Sequence, residues 1–167
     1  MISAAGSTIT VTGSNSFIYN GLPQGPNTST VTGSTGAVTY SYSGTENSSA
    51  SYGPSATAPT NAGTYSVTAT VAADANFNGA TSAPFAFTIT RADAIIVVTP
   101  YTVTFDGNPH TATGTATGIE TTSPVDLTSL LDLSGTTHTA AGDYPNDACL
   151  QCSHLRAVRS VHKTQER

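Results

Sequence analysis

The sequence predicts an all-β fold of tandem small β-sandwich-like modules, Ig-like or related. Three features carry that prediction. Apolar residues alternate with Thr and Ser over several runs; turns rich in Gly and Pro separate the runs; and the chain repeats itself.

Composition points the same way. Only 9% of the 167 residues are charged, against about 25% in an average globular domain. Thr (31 residues) and Ser (19 residues) supply the polar surface instead. The branched Cβ of Thr fits a pleated sheet, whereas helical domains are filled with Glu, Lys, Arg and Leu.

The first strand is read in "STITVTG" (7–13), where Ile9 and Val11 alternate with hydroxyl residues. In "TYSVTATVAA" (64–73), Tyr65, Val67, Ala69 and Val71 alternate with Ser66, Thr68 and Thr70. "APFAFTIT" (83–90) places Phe85, Phe87 and Ile89 on one face. "IIVVTPYTVTF" (95–105) predicts a strand running on through Tyr101, Val103 and Phe105. A period of two means one face in a core and one in water. "NGLPQGP", "YSGTENSS", "NAGT" and "DGNPH" are the turns between them.

The repeat divides the chain. "FIYNGLPQG" (17–25) matches "VTFDGNPHT" (103–111), with Gly21 and Gly107 86 positions apart, and "NAGTY" (61–65) matches "AAGDY" (140–144). After Tyr65 the first copy continues through two more strands. After Tyr144 the second reads "PNDACLQCSHLRAVRSVHKTQER" instead. The expected organisation is a first module over 1–93, a truncated second module over 94–148 and an unrelated tail over 149–167. The tail is expected to be disordered or, from Leu155, Val158 and Val161 at three-residue spacing, a short helix.

Charge follows the same division. Residues 1–148 hold nine acids and one base, Arg91, for a net charge of −8; residues 149–167 sum to +3. An acidic body argues against nucleic acid, since phosphate contact needs Lys and Arg. No apolar run approaches the roughly 18 residues of a membrane span, so membrane insertion is not expected. No basic start with an apolar core marks an export signal, so an extracellular life would need export by something this sequence does not show.

These pieces resemble the MBG-type repeats of bacterial surface proteins and adhesins. The resemblance rests on "YNGLPQG", "FDGNPHTATGTATG", "AGTYSVTATVAADANFNGA" and "FTITRADA" leading into "IIVVTPYTVTFDG", and it covers roughly residues 9–148. It implies structural modules that act as spacers, partnered by neighbouring repeats, on a parent protein outside the cell. It supplies no catalytic residues. A module short of two strands would expose a sheet edge, so self-association is a further expectation.

Four groups of residues bear on chemistry. "DANFNG" (74–79) matches the first half of a calcium loop, with Asp74, Asn76 and Asn78 as oxygen ligands. The twelfth position, where a bidentate Glu belongs, is Phe85, and the plain alternative is a polar turn. Asp106 with His110, and His138 with Asp143, are carboxylate–imidazole pairs of the kind that prime a general base. The plain alternative is a pair of surface turns. Cys149, Cys152, His154 and His162 hold potential zinc ligands at unorthodox spacing; a disulfide or free thiols is the simpler reading. Tyr19, Tyr40, Tyr42, Tyr52 and Tyr65 would suit a sugar-binding face, or else half-buried strand positions.

The favoured function is therefore a non-catalytic structural or adhesive repeat module, with no cofactor. A small calcium-dependent hydrolase of an ester or lactone, using Asp106, His110, His138 and Asp143, is the alternative. A carbohydrate-binding module is a further one. G-x-S-x-G, H-E-x-x-H and P-loop motifs do not occur.

Overall fold

A computed structural model describes residues 2–144 and 158–159. The chain forms two units, Met1–Arg91 and Ala92–Arg167.

In the first unit, β1 (Thr8–Thr12) pairs antiparallel with β3 (Thr28–Thr32) as a two-stranded sheet, with Ile9 opposite Val31. A larger sheet holds β2 (Ser16–Ile18), β8 (Phe85–Thr90), β6 (Gly63–Val71), β4 (Val38–Glu46) and β5 (Ser51–Ser55), in that order. The short β7 (Ala80–Thr81) pairs with the end of β6. All pairs in this sheet are antiparallel except β2 with β8.

The alternation read from the sequence decides which face is buried. Tyr65, Val67, Ala69 and Val71 of β6 point inward and are buried. Phe87 and Ile89 of β8 join them, and Ile9 and Val11 of β1 cover them from the small sheet. Phe87 is the centre of an aromatic cluster. Tyr65 stacks on it at 5.5 Å, while Phe17 and Tyr42 meet it edge-on at 5.9 and 6.2 Å. Edge and offset arrangements suit the ring quadrupole and add to the area buried.

The second unit is smaller. β9 (Ile95–Thr99) pairs antiparallel with β10 (Thr113–Thr117), with Ile96 opposite Ala116. Both residues are buried. Two short 3₁₀ turns, Thr128–Leu130 and Ser134–Thr136, follow where the first unit has β4 and β5. Leu131 and Leu133 lie over Gly114 of β10, where a Cβ would meet Leu131 at 2.9 Å. Buried Thr136 ties the second turn to the strand: its hydroxyl donates to the Leu133 carbonyl at 2.7 Å and accepts from the Ala112 amide at 3.0 Å.

Two expectations change here. The strand predicted over 95–105 ends at Thr99. Residues 101–106 are not in a strand, and Val103 and Phe105 are exposed. The reason is pairing. In the first unit the matching segment, β2, is a strand because β8 lies beside it; the second unit offers no such neighbour among the described residues. In the tail, Val158–Arg159 is extended and pairs parallel with Ile95 and Ile96 of β9, where the three-residue spacing predicts a helical turn. Cys149, Cys152, His154 and His162 lie outside the described residues.

Candidate functional site

The turn that opens at Asp106 is the densest polar feature of the second unit. Gly107 has φ of 79°, a left-handed conformation that only Gly adopts without cost. This bends the chain so that the Asp106 carboxylate meets its own turn. Its Oδ1 accepts the Asn108 amide N–H at 2.9 Å and the His110 Nε2–H at 2.9 Å. Its Oδ2 accepts the Asn108 side-chain amide at 3.0 Å. The two Asn108 donors, then His110, hold the Asp106 carboxyl well below the usual range.

His110 and His138 are brought together by backbone: each N–H donates to the other's carbonyl at 3.0 Å. Their rings have different company. His110 lies against Tyr101, 5.7 Å between centroids, as well as on Asp106. His138 stacks flat on Tyr144 at 3.6 Å and 3°. Asp143 is exposed and takes no described hydrogen bond from His138. Of the two carboxylate–imidazole pairs predicted, the structure brings together Asp106 with His110 only. Tyr144 and Asn108, which sequence reasoning did not single out, are the groups that complete this region.

The turn, the backbone bridge and the tyrosine bond have counterparts in the first unit. Gly21 has φ of 80°. Asn20 Oδ1 accepts the Leu22 N–H at 3.0 Å, as Asp106 accepts that of Asn108. The Gln24 N–H donates to the Pro59 carbonyl at 2.8 Å, as His110 does to His138. That bond is one-way because Pro has no N–H. The Tyr65 hydroxyl donates to the Asn61 carbonyl at 2.7 Å, and that of Tyr144 to the Ala140 carbonyl at 3.1 Å.

The calcium candidate lies in the first unit. Asp74 Oδ2 accepts the Thr35 N–H at 2.9 Å and its hydroxyl at 3.2 Å, and Oδ1 accepts the N–H groups of Asn76 and Phe77, both at 2.9 Å. These bonds, that from the Thr35 amide first, lower the Asp74 carboxyl to about 2. Asn78 donates to the Ala4 carbonyl through its side chain at 3.3 Å. The loop is thus a clasp joining residues 4–5, 35 and 74–78. Among the described residues, no group of three or more His, Cys, Asp or Glu side chains is arranged to hold a metal ion.

The tyrosines are divided. Tyr42 and Tyr65 are core residues, and burial raises both phenols. The Tyr42 hydroxyl donates to the Pro26 carbonyl at 2.8 Å and that of Tyr52 to the Thr57 carbonyl at 2.8 Å. Tyr40, half-buried, borders a shallow groove of about 460 Å³ with Pro23, Asn27, Val38 and Ala58.

The MBG domain family matches residues 7–93, just over half of the chain. The chain belongs to this family. No curated protein and no solved structure gives a significant match. Within the MBG unit, Gln24 and Pro59 stand where His110 and His138 stand in the second unit. The backbone bridge between those positions is thus present in both units, made by Gln24 and Pro59 in one and by the two histidines in the other. No helix among the described residues is long and apolar enough to cross a membrane.

Proposed function

We propose that this chain is a spacer segment of a surface protein, in which MBG units follow one another and hold a binding domain away from the cell. One observation carries the reading. An MBG unit is followed at once by a second unit that repeats its turn, its first sheet and its tyrosine bond. Modules that each bury their own core suit a chained arrangement. Thr-rich outer faces keep such a chain solvated with little charge.

The hydrolase reading has a single observation in its favour, the 2.9 Å bond between His110 and Asp106. That carboxylate also accepts two bonds from Asn108, which suits a turn better than a base awaiting a substrate.

Stretching the full chain under force tests the spacer reading. Unfolding of Met1–Arg91 should appear as one cooperative step. Its 91 residues would release about 300 Å of extended chain, less the folded span. Gradual extension without a step would remove the spacer reading. So would turnover of a simple ester or lactone that chelator stops and His110→Ala abolishes.

A further inference from the structure

In the first unit, the space between Phe17, Tyr19 and Tyr65 is filled from β8. Phe17 and Tyr65 both pack on Phe87, and Tyr19 joins the same core. Backbone pairing runs alongside, with Phe17 opposite Ile89 and the Tyr19 N–H donating to the Thr90 carbonyl at 2.9 Å.

The repeat places Val103, Phe105 and Tyr144 at the corresponding positions of the second unit. They are 50%, 64% and 41% exposed. Tyr65, by comparison, is 2% exposed. No backbone hydrogen bond engages residues 102–104 among the described residues. The residues that β8 covers in the first unit thus have counterparts in the second, where no strand pairs with residues 102–104 among the described residues.

We propose that the second unit is a receptor for an extended strand donated by a partner chain. The donor has the pattern of β8: aromatic, small, aromatic, polar, aliphatic. It adds in parallel beside residues 102–104, and its central aromatic seats between Val103, Phe105 and Tyr144. Main-chain hydrogen bonds give such strand addition its affinity, and alternate side chains give it specificity. Every charged side chain described between residues 92 and 144 is acidic, so a donor with a basic flank is favoured. The proposal rests on the two units sharing one design. A second copy is a poor donor: its Phe87 and Ile89 are already buried, and releasing β8 would open one core to close another.

The probe is a synthetic peptide with the sequence of residues 83–91, "APFAFTITR", added to the full chain. Saturable binding below about 1 mM is expected. Hydrogen exchange should slow at residues 102–104 and Thr113–Thr117, with Met1–Arg91 unchanged. A peptide carrying Phe87→Ser should bind roughly tenfold more weakly or not at all. Phe105→Ser and Tyr144→Ser in the protein should weaken binding comparably, and both side chains are exposed enough for the chain to fold without them. Four results would overturn the proposal: no saturation, protection confined to the first unit, indifference to these substitutions, or dimers that form without peptide. Step unfolding of the first unit under force does not depend on this outcome, so a failure here leaves the spacer reading standing.

Discussion

Tyr65 stacks on Phe87 at 5.5 Å, with the rings inclined by 28°. One residue comes from β6 and the other from β8, and the register places them directly opposite. Removing the Phe87 ring empties the middle of the only aromatic cluster described in the first unit. Phe87→Ala should cost about 3–5 kcal/mol, as large-to-small core changes do. Urea unfolding of the full chain, followed by tyrosine fluorescence, measures it.

The two equivalent tyrosines should respond differently to loss of the hydroxyl. Tyr65→Phe removes a bond made inside the core and should cost about 1 kcal/mol. Tyr144→Phe removes the same bond at an exposed site and should change stability by less than about 0.5 kcal/mol. Equal costs would mean that Tyr144 is buried in solution.

Asp74 makes the first unit sensitive to acid. Its folded-state pKa, about 2, lies below the ordinary carboxyl value of 3.8. Stability from this group is therefore fully present above pH 4 or so and is lost as pH falls toward 2. Asp74→Asn should lower the melting temperature at pH 7 and flatten its fall between those values. A melting series across pH for both proteins checks this.

Calcium should not raise that melting temperature. Both Asp74 oxygens already accept two hydrogen bonds each from the chain. Differential scanning with calcium and then with chelator decides the point. A rise that chelator reverses would restore the calcium loop.

Gly107→Ala should destabilise the second unit by about 1–2 kcal/mol. Nothing lies within 4 Å of the added Cβ, so the cost is the left-handed backbone alone. Gly107→Asn should recover part of it, because Asn tolerates that conformation. Hydrogen exchange at Thr113–Thr117 reports the change.

Much of this fold was legible in alternation. Tyr65 to Val71 and Phe85 to Ile89 face inward as their spacing requires. The turns at Gly21 and Gly107 were legible too, since a matched Asn-Gly and Asp-Gly demand the same bend. What was not legible was pairing. Val103 and Phe105 alternate as well as Phe17 and Tyr19 do, but alternation cannot say whether a neighbouring strand exists. The Asp106–His110 bond followed from a four-residue spacing within one turn. The flat stack of His138 on Tyr144 did not, because a six-residue separation in a turn fixes no contact between rings. Thr35 as the chief partner of Asp74 lies 39 positions away, beyond any local pattern.

β2 and β8 run side by side in the same direction, β2 following β1 near the start of the first unit and β8 being its last strand. Once β1 has come away from β3, tension on the two ends of that unit pulls these strands lengthwise past each other. Their ladder then bears load in shear, all bonds at once, and does not peel open one bond at a time. A single parallel pair would thus act as the mechanical clamp of the larger sheet.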